Sequence, residues 1–157
     1  MKNSKERVFK EIFLKAAKLN NKPEPAVLHE KSFRDVHCLS CANCCKTTPA
    51  IVTKEDINRI SKEVNMSAKN FFKTYVLEDI NGELSFKTVP CVFLKDNNEC
   101  AIYDVRPKAC REFPHIDDSA FYKRPILNAK NVEVCPAVQN ALDILQKLIE
   151  KHPEPKP

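Results

Sequence analysis

Apolar residues fall into helical register near the N-terminal end of the chain, where Val8, Phe9, Ile12, Phe13, Ala16 and Ala17 recur three or four positions apart. Ser4 stands where an N-cap belongs, so the spacing predicts an amphipathic helix over about residues 4–20. Asn20-Asn-Lys-Pro-Glu-Pro25 breaks it. From His37 to Lys46 neither a helical nor a strand period is visible, which predicts a ligand loop. Thr53-Lys-Glu-Asp56 has the form of a capping motif ahead of Ile57, Ile60 and Val64, the apolar stripe of a short helix. A second short helix is expected from Ser67, carrying Phe71 and Phe72.

Strand-like segments follow. Tyr75 to Ile80 and Glu83 to Thr88 flank Asn81-Gly82, which predicts a hairpin closed by a two-residue type I′ turn with positive φ at both central residues. Cys91-Val-Phe-Leu94 and Cys100-Ala-Ile-Tyr103 flank Lys95 to Glu99 and predict a second hairpin with a cysteine near each strand. Pro107 is expected to open a short helix capped by Asp104 and bearing Cys110. Val138, Ala141, Leu142, Leu145, Leu148 and Ile149 predict a C-terminal helix over about 137–150. The proline-rich end, His152 to Pro157, cannot continue it and is expected to fray. No internal repeat or low-complexity tract is present. These patterns predict an α+β fold: a small single domain over residues 1–157, with short helices, one or two β-hairpins and cysteine-rich metal-binding loops.

Hydrophobic residues make up 43% and charged residues 30% of the chain, an ordinary globular balance that excludes wholesale disorder. The net charge is +5, and most of it lies before residue 38. There the basic residues alternate with Glu6, Glu11 and apolar positions, as on a solvated helix face, whereas nucleic-acid binders cluster their basic residues. A nucleic-acid partner is therefore not expected, and no feature defines a protein partner. The N-terminus shows no secretory signal. The longest uncharged apolar run, about Thr88 to Leu94, is far shorter than the roughly 18–20 residues of a membrane span. A cytoplasmic protein without a membrane partner is expected.

Eight cysteines against one glycine are the anomaly. A chain of this length buries roughly 70% of its unfolded surface and needs no cross-link to form a core. In a reducing compartment so many thiols point to metal ligands or catalytic groups rather than disulfides. Cys38-x2-Cys41-x2-Cys44-Cys45 is the informative block, because two intervening residues let a tight turn aim both sulfurs at one ion. Cys91, Cys100, Cys110 and Cys135 follow. Three cysteines at two-residue gaps and a later Cys135-Pro136 have the local form of a ferredoxin run, although the distance to that Cys-Pro is far too long for one. Adjacent Cys44 and Cys45 require either a sharp backbone turn or two separate sites. His37 and His115 are occasional candidate ligands. Arg106 and Arg111 are candidate cofactor-binding cations that could balance an anionic thiolate site; alternatively they pair with carboxylates such as Asp104 and Glu112.

Four blocks together carry a family resemblance: Cys38-Leu-Ser-Cys41-Ala-Asn-Cys44-Cys45, Pro90-Cys91-Val-Phe-Leu94, the stretch from Cys100 through Arg106-Pro107 to Phe113-Pro114, and Cys135-Pro136. The sequence resembles the bacterial YkgJ-type cysteine-cluster proteins, a zinc- or iron-chelating domain with a CxxCxxCC motif, over about residues 36–136. Members often have Gly after the second cysteine, where this chain has Ala42. The resemblance implies metal chelation by the cysteines. Related regions occur in flagellin lysine methylases, which are iron–sulfur proteins. It does not imply methylation here, and the sole glycine, placed in a hairpin turn, leaves no glycine-rich loop for a nucleotide cofactor.

Four functions are compatible with these residues. An iron–sulfur cluster could serve electron transfer or another redox or accessory role. Zinc could instead brace a protein-interaction or regulatory module without catalysis. Exchangeable thiolates could store or deliver metal. A catalytic cysteine is the least supported, since no base is placed beside one. The residues fix neither substrate nor reaction.

Overall fold

The computed structural model describes residues 4–152; the tail expected to fray lies, from residue 153 on, outside them. In chain order the elements are α1 (Ser4–Lys18), α2 (Pro25–Ser32), α3 (Cys38–Cys41), α4 (Asn43–Thr47), α5 (Lys54–Glu63), α6 (Ala68–Tyr75), β1 (Val76–Glu78) and β2 (Leu84–Phe86). They continue with α7 (Lys108–Glu112), α8 (Pro125–Val132) and α9 (Pro136–Lys151), and single 3-10 turns lie at Tyr103–Val105 and Phe121–Lys123. The fold is α+β. Two compact units emerge: one is His37–Phe113, and the other joins the two ends of the chain, up to Val36 and from Pro114. Among the described residues no helix is long and apolar enough to cross a membrane.

In the unit built from the chain ends, α1 packs against α8 and α9, and α2 and α8 also pack against α9. The predicted stripes of α1 and α9 are buried in part: Phe13 and Ala16 of α1, and Val138, Ala141, Leu142 and Leu145 of α9 are buried, Phe9, Ile12, Ala17, Leu148 and Ile149 are half-buried, and Val8 is exposed. Phe13 meets Phe121 edge-on at 5.8 Å. Helices α2 and α8 were not marked by periodicity. Each opens on a proline, whose fixed φ suits a first helical turn. In α2 a buried Leu28 adjoins an exposed Val27, too little for a stripe.

The His37–Phe113 unit has its own core of Val52, Ile57, Ile60, Phe71, Val76, Phe86, Phe93 and Ile102. Phe71 lies nearly parallel to Phe93 at 6.2 Å and edge-on to Phe86 at 6.3 Å, geometries that suit the aromatic quadrupole. The predicted capping box forms: Asp56 N–H donates to Thr53 Oγ1 at 3.1 Å, and Thr53 N–H donates to Asp56 Oδ2 at 2.9 Å. Ser67 caps α6 by accepting from Asn70 N–H at 3.2 Å.

The first hairpin pairs Val76 with Phe86, Leu77 with Ser85 and Glu78 with Leu84, but its turn differs from the two-residue form expected. Gly82 has φ +79°, and Asn81 is not in the positive-φ region. Gly82 N–H donates to the Asp79 carbonyl at 3.0 Å, and Asp79 N–H to the Glu83 carbonyl at 2.9 Å, closing a three-residue loop with a left-handed glycine last. The Asp79 carboxylate explains the choice, because Oδ1 accepts from both Asn81 N–H and Glu83 N–H at 2.8 Å. The second expected hairpin contracts to one bridge, Leu94 to Cys100. It is flanked by Lys95 N–H to the Glu99 carbonyl and Ala101 N–H to the Phe93 carbonyl, both at 2.8 Å.

Candidate metal centre

The segment expected as a loop is two short helices broken at one residue. Cys41 N–H donates to the His37 carbonyl at 3.0 Å and Ala42 N–H to that of Cys38 at 2.9 Å; then Lys46 N–H donates to the Ala42 carbonyl at 3.1 Å and Thr48 N–H to that of Cys44 at 2.9 Å. One turn of helix needs no apolar repeat, which is why periodicity missed it. Ala42, at φ +46° and ψ 18°, is the break, and it keeps a left-handed conformation without a glycine. Cys38 and Cys41, three apart on α3, therefore share a face.

Cys44 and Cys45 are consecutive residues of α4, so the sharp-turn alternative holds and their side chains are not sent to opposite faces. Hydrogen bonding with the Cys45 thiol, then burial and repulsion from Cys45, hold Cys44 well above the ordinary thiol range. The same hydrogen bond lowers Cys45, against burial and against repulsion from Cys91, Cys110 and Cys100.

Three further sulfurs approach this pair. Cys91 lies in the turn before the Leu94 bridge, and its backbone N–H donates to the Cys45 carbonyl at 2.8 Å. Burial raises its thiol, backbone N–H donation from Phe93 and Leu94 counteracts that, and Cys100 and Cys44 repel its charged form. Cys110, on α7, is pushed up to about 12 by burial and by Cys91, Cys44 and Cys100, with Arg106 acting the other way. Cys38 is raised by burial and by Cys44 and Cys41, again opposed by Arg106. Seven sulfurs of one unit are thus joined by a chain of pairwise effects, Cys41 by way of Cys38, and Cys38 by way of Cys44 to Cys45, Cys91, Cys100 and Cys110.

The arginines do not pair with the carboxylates suggested by spacing. Arg106 lies over the Tyr103 ring at 3.9 Å and donates from Nη1 to the Tyr103 carbonyl at 2.7 Å. Arg111 Nη1 donates to the Arg106 carbonyl at 2.7 Å, while Glu112 pairs with Lys108 at 3.6 Å. Only Arg106 acts on the thiols among the charge effects described above.

Helix α7 also corrects an expectation. It begins at Lys108 with Pro107 as its N-cap residue, and Asp104 sits in the preceding 3-10 turn. The carboxylate that receives Lys108 N–H is Asp56 Oδ1, at 3.1 Å and 52 residues away. Local spacing showed Asp56 in its own capping box, but no local pattern signals a partner so distant.

His37 is the N-cap residue of α3 and supplies its carbonyl rather than a side-chain cap. His115 and Cys135 belong to the unit formed by the chain ends. Cys135 is buried just before α9, and its N–H donates to the Asn131 carbonyl at 2.8 Å. Among the described residues no disulfide joins any of the eight cysteines. Among the described residues no three His, Cys, Asp or Glu side chains already converge as an ion's ligands; the sulfurs are grouped without forming a closed cage.

The donor set suits a soft metal. Cys38, Cys91 and Cys110 resist ionisation through burial and then through the negative charge of neighbouring thiolates; a cation among them relieves both, and thiolate sulfur selects zinc and iron–sulfur clusters. The family model “CxxCxxCC: Putative zinc- or iron-chelating domain” matches residues 37–135. The chain belongs to this family. The CxxCxxCC match starts at the first residue of the cysteine-bearing unit and runs on to Cys135, taking in all eight cysteines. No curated protein and no solved structure matches the chain significantly.

Proposed function

We propose that the His37–Phe113 unit holds an iron–sulfur cluster through ligands drawn from Cys38, Cys41, Cys44, Cys45, Cys91, Cys100 and Cys110, and that the protein has a redox or accessory role in the cytoplasm. The observation that carries this reading is the number of sulfurs gathered in one unit. Seven thiols in one unit exceed the four that close a structural zinc site. When bound, a cluster would supply one-electron chemistry at a potential tuned by charge and by hydrogen bonds to sulfur. The chain provides both: backbone N–H groups of Phe93 and Leu94 point at the Cys91 sulfur, and Arg106 acts on Cys38 and Cys110. Cys135 remains a candidate eighth ligand carried by the family span, and unchanged metal content in Cys135→Ser removes it.

A structural zinc site is the second reading, favoured by the modest sheet of the unit, two strands of three residues each. Zinc would then supply folding free energy, about 10–16 kcal/mol in small zinc peptides, and would have no catalytic role. Purification without oxygen, followed by quantification of iron, acid-labile sulfide and zinc with an absorption spectrum, separates the two. Iron with matching sulfide supports the cluster. Zinc alone, with loss of native circular dichroism on chelation, supports the second reading.

A further inference from the structure

Asp56 is only 1% exposed and carries more contacts than its capping box needs. Its carboxylate accepts from Thr53 N–H at 2.9 Å, from Lys108 N–H at 3.1 Å and from Arg59 Nη2 at 2.6 Å. Arg59 Nη2 reaches on to the carbonyls of Arg106 at 2.9 Å and Val105 at 3.4 Å. Arg59 Nε has no partner among the described residues, so a single nitrogen makes all these bonds. One acid–base pair on α5 thus grips the backbone on both sides of Pro107. The far contacts span 46 to 52 residues and contribute nothing to starting α5.

They matter for α7. That helix has five residues and no side-chain cap within its own segment, and so short a helix does not hold itself in water. Besides the fully buried Pro107 before it, its placement draws on the carboxylate that receives its first amide and the guanidinium that holds the two preceding carbonyls. Cys110 rides on this helix, and Arg106, the cation acting on Cys38 and Cys110, belongs to the gripped corner.

We propose that Asp56 and Arg59 are positioning residues for the thiol site: they fix the Cys110 sulfur and the Arg106 guanidinium from behind, without touching a bound metal. The proposal rests on the reading of the cysteines as ligands, and its test separates the two.

The first readout needs no metal. In metal-free protein each cysteine is alkylated under pseudo-first-order conditions and its rate read by mass spectrometry. Asp56→Ala and Arg59→Met are expected to raise the Cys110 rate about tenfold, the scale of losing one charged hydrogen bond, with Cys135 unchanged. Arg59→Lys, which keeps a cation with a donating nitrogen, is expected to return Cys110 towards the wild-type rate. Ile60→Val, a core truncation on the same helix, should leave it unaltered. If Asp56→Ala accelerates Cys135 equally, the chain has opened broadly and the Met and Lys variants at Arg59 decide. Equal Cys110 rates in wild type, Arg59→Met and Arg59→Lys overturn the proposal.

The second readout is titration with Co²⁺ alone. The sulfur-to-cobalt absorption per bound ion should fall in Asp56→Ala and Arg59→Met by about a quarter, as for one thiolate lost from four, and hold in Ile60→Val. Wild-type protein without that absorption contradicts the metal reading, while the alkylation comparison still decides the positioning role.

Discussion

The backbone N–H of Cys91 donates to the carbonyl of Cys45 at 2.8 Å, tying the end of the CxxCxxCC block to a cysteine far along the chain. A second tie runs in parallel, from Asn98 Nδ2 to the Ser40 carbonyl at 3.1 Å. Together they bring the turn carrying Cys91 and the bridge carrying Cys100 against the two short cysteine helices. Backbone carbonyls of the CxxCxxCC block thus help to group the sulfurs.

If Cys45 and Cys91 are ligands held this way, Cys45→Ser and Cys91→Ser should each lose tight metal binding while keeping the far-ultraviolet circular dichroism of their metal-free form. Arg106→Gln should retain the ligand set but weaken affinity by about 10- to 100-fold, the usual effect of losing an outer partner of a metal site. Competition titrations with a chromophoric chelator measure both. Wild-type affinity in the two serine variants would show that other sulfurs suffice.

Asp56 predicts an acid dependence. Burial opposes its ionisation, yet hydrogen bonds from Thr53, Arg59 and Lys108 outweigh burial and hold the carboxyl below its ordinary value. A group with a depressed folded-state pKa stabilises the fold above its unfolded pKa, about 3.9 for Asp, and loses that contribution as pH falls through the folded value. Stability should therefore decline below about pH 5, and Asp56→Asn should flatten that decline. Urea unfolding at a series of pH values checks it; parallel curves for the two proteins would contradict this account.

Much of this was readable from the chain, and the boundary is physical. The helices α1, α5, α6 and α9 bury one face each, so their apolar spacing marks them. Capping by Thr53 and Ser67 is local and equally visible. The short helices α3 and α4 have no buried residue in one case or the other, hence no stripe to detect, and the closure of one unit from both chain ends leaves no local trace. The eight cysteines were evident as candidates. What no spacing rule could supply was that Arg106 turns to Tyr103 rather than to a carboxylate, or that Asp56 caps a helix 52 residues away.

Ala42 offers a backbone test. At φ +46° a side chain costs about 1–2 kcal/mol relative to the right-handed region, partly offset when glycine's greater unfolded-state freedom is counted. Ala42→Gly should thus leave stability unchanged or raise it by up to about 1 kcal/mol. Ala109→Gly, inside α7, should lower it by about 1 kcal/mol. Chemical denaturation of both variants distinguishes the sites, and an equal loss at both would mean that Ala42 is not left-handed in solution.

The central claim is that the cysteines of the His37–Phe113 unit share a metal centre, and the measurement closest to it is alkylation of metal-loaded and metal-stripped protein with every cysteine mapped by mass spectrometry. The account predicts that loading protects at least four of the seven thiols of that unit together, Cys45 and Cys91 among them, and that stripping exposes them together. Identical rates at all eight cysteines, with and without iron or zinc, would contradict it.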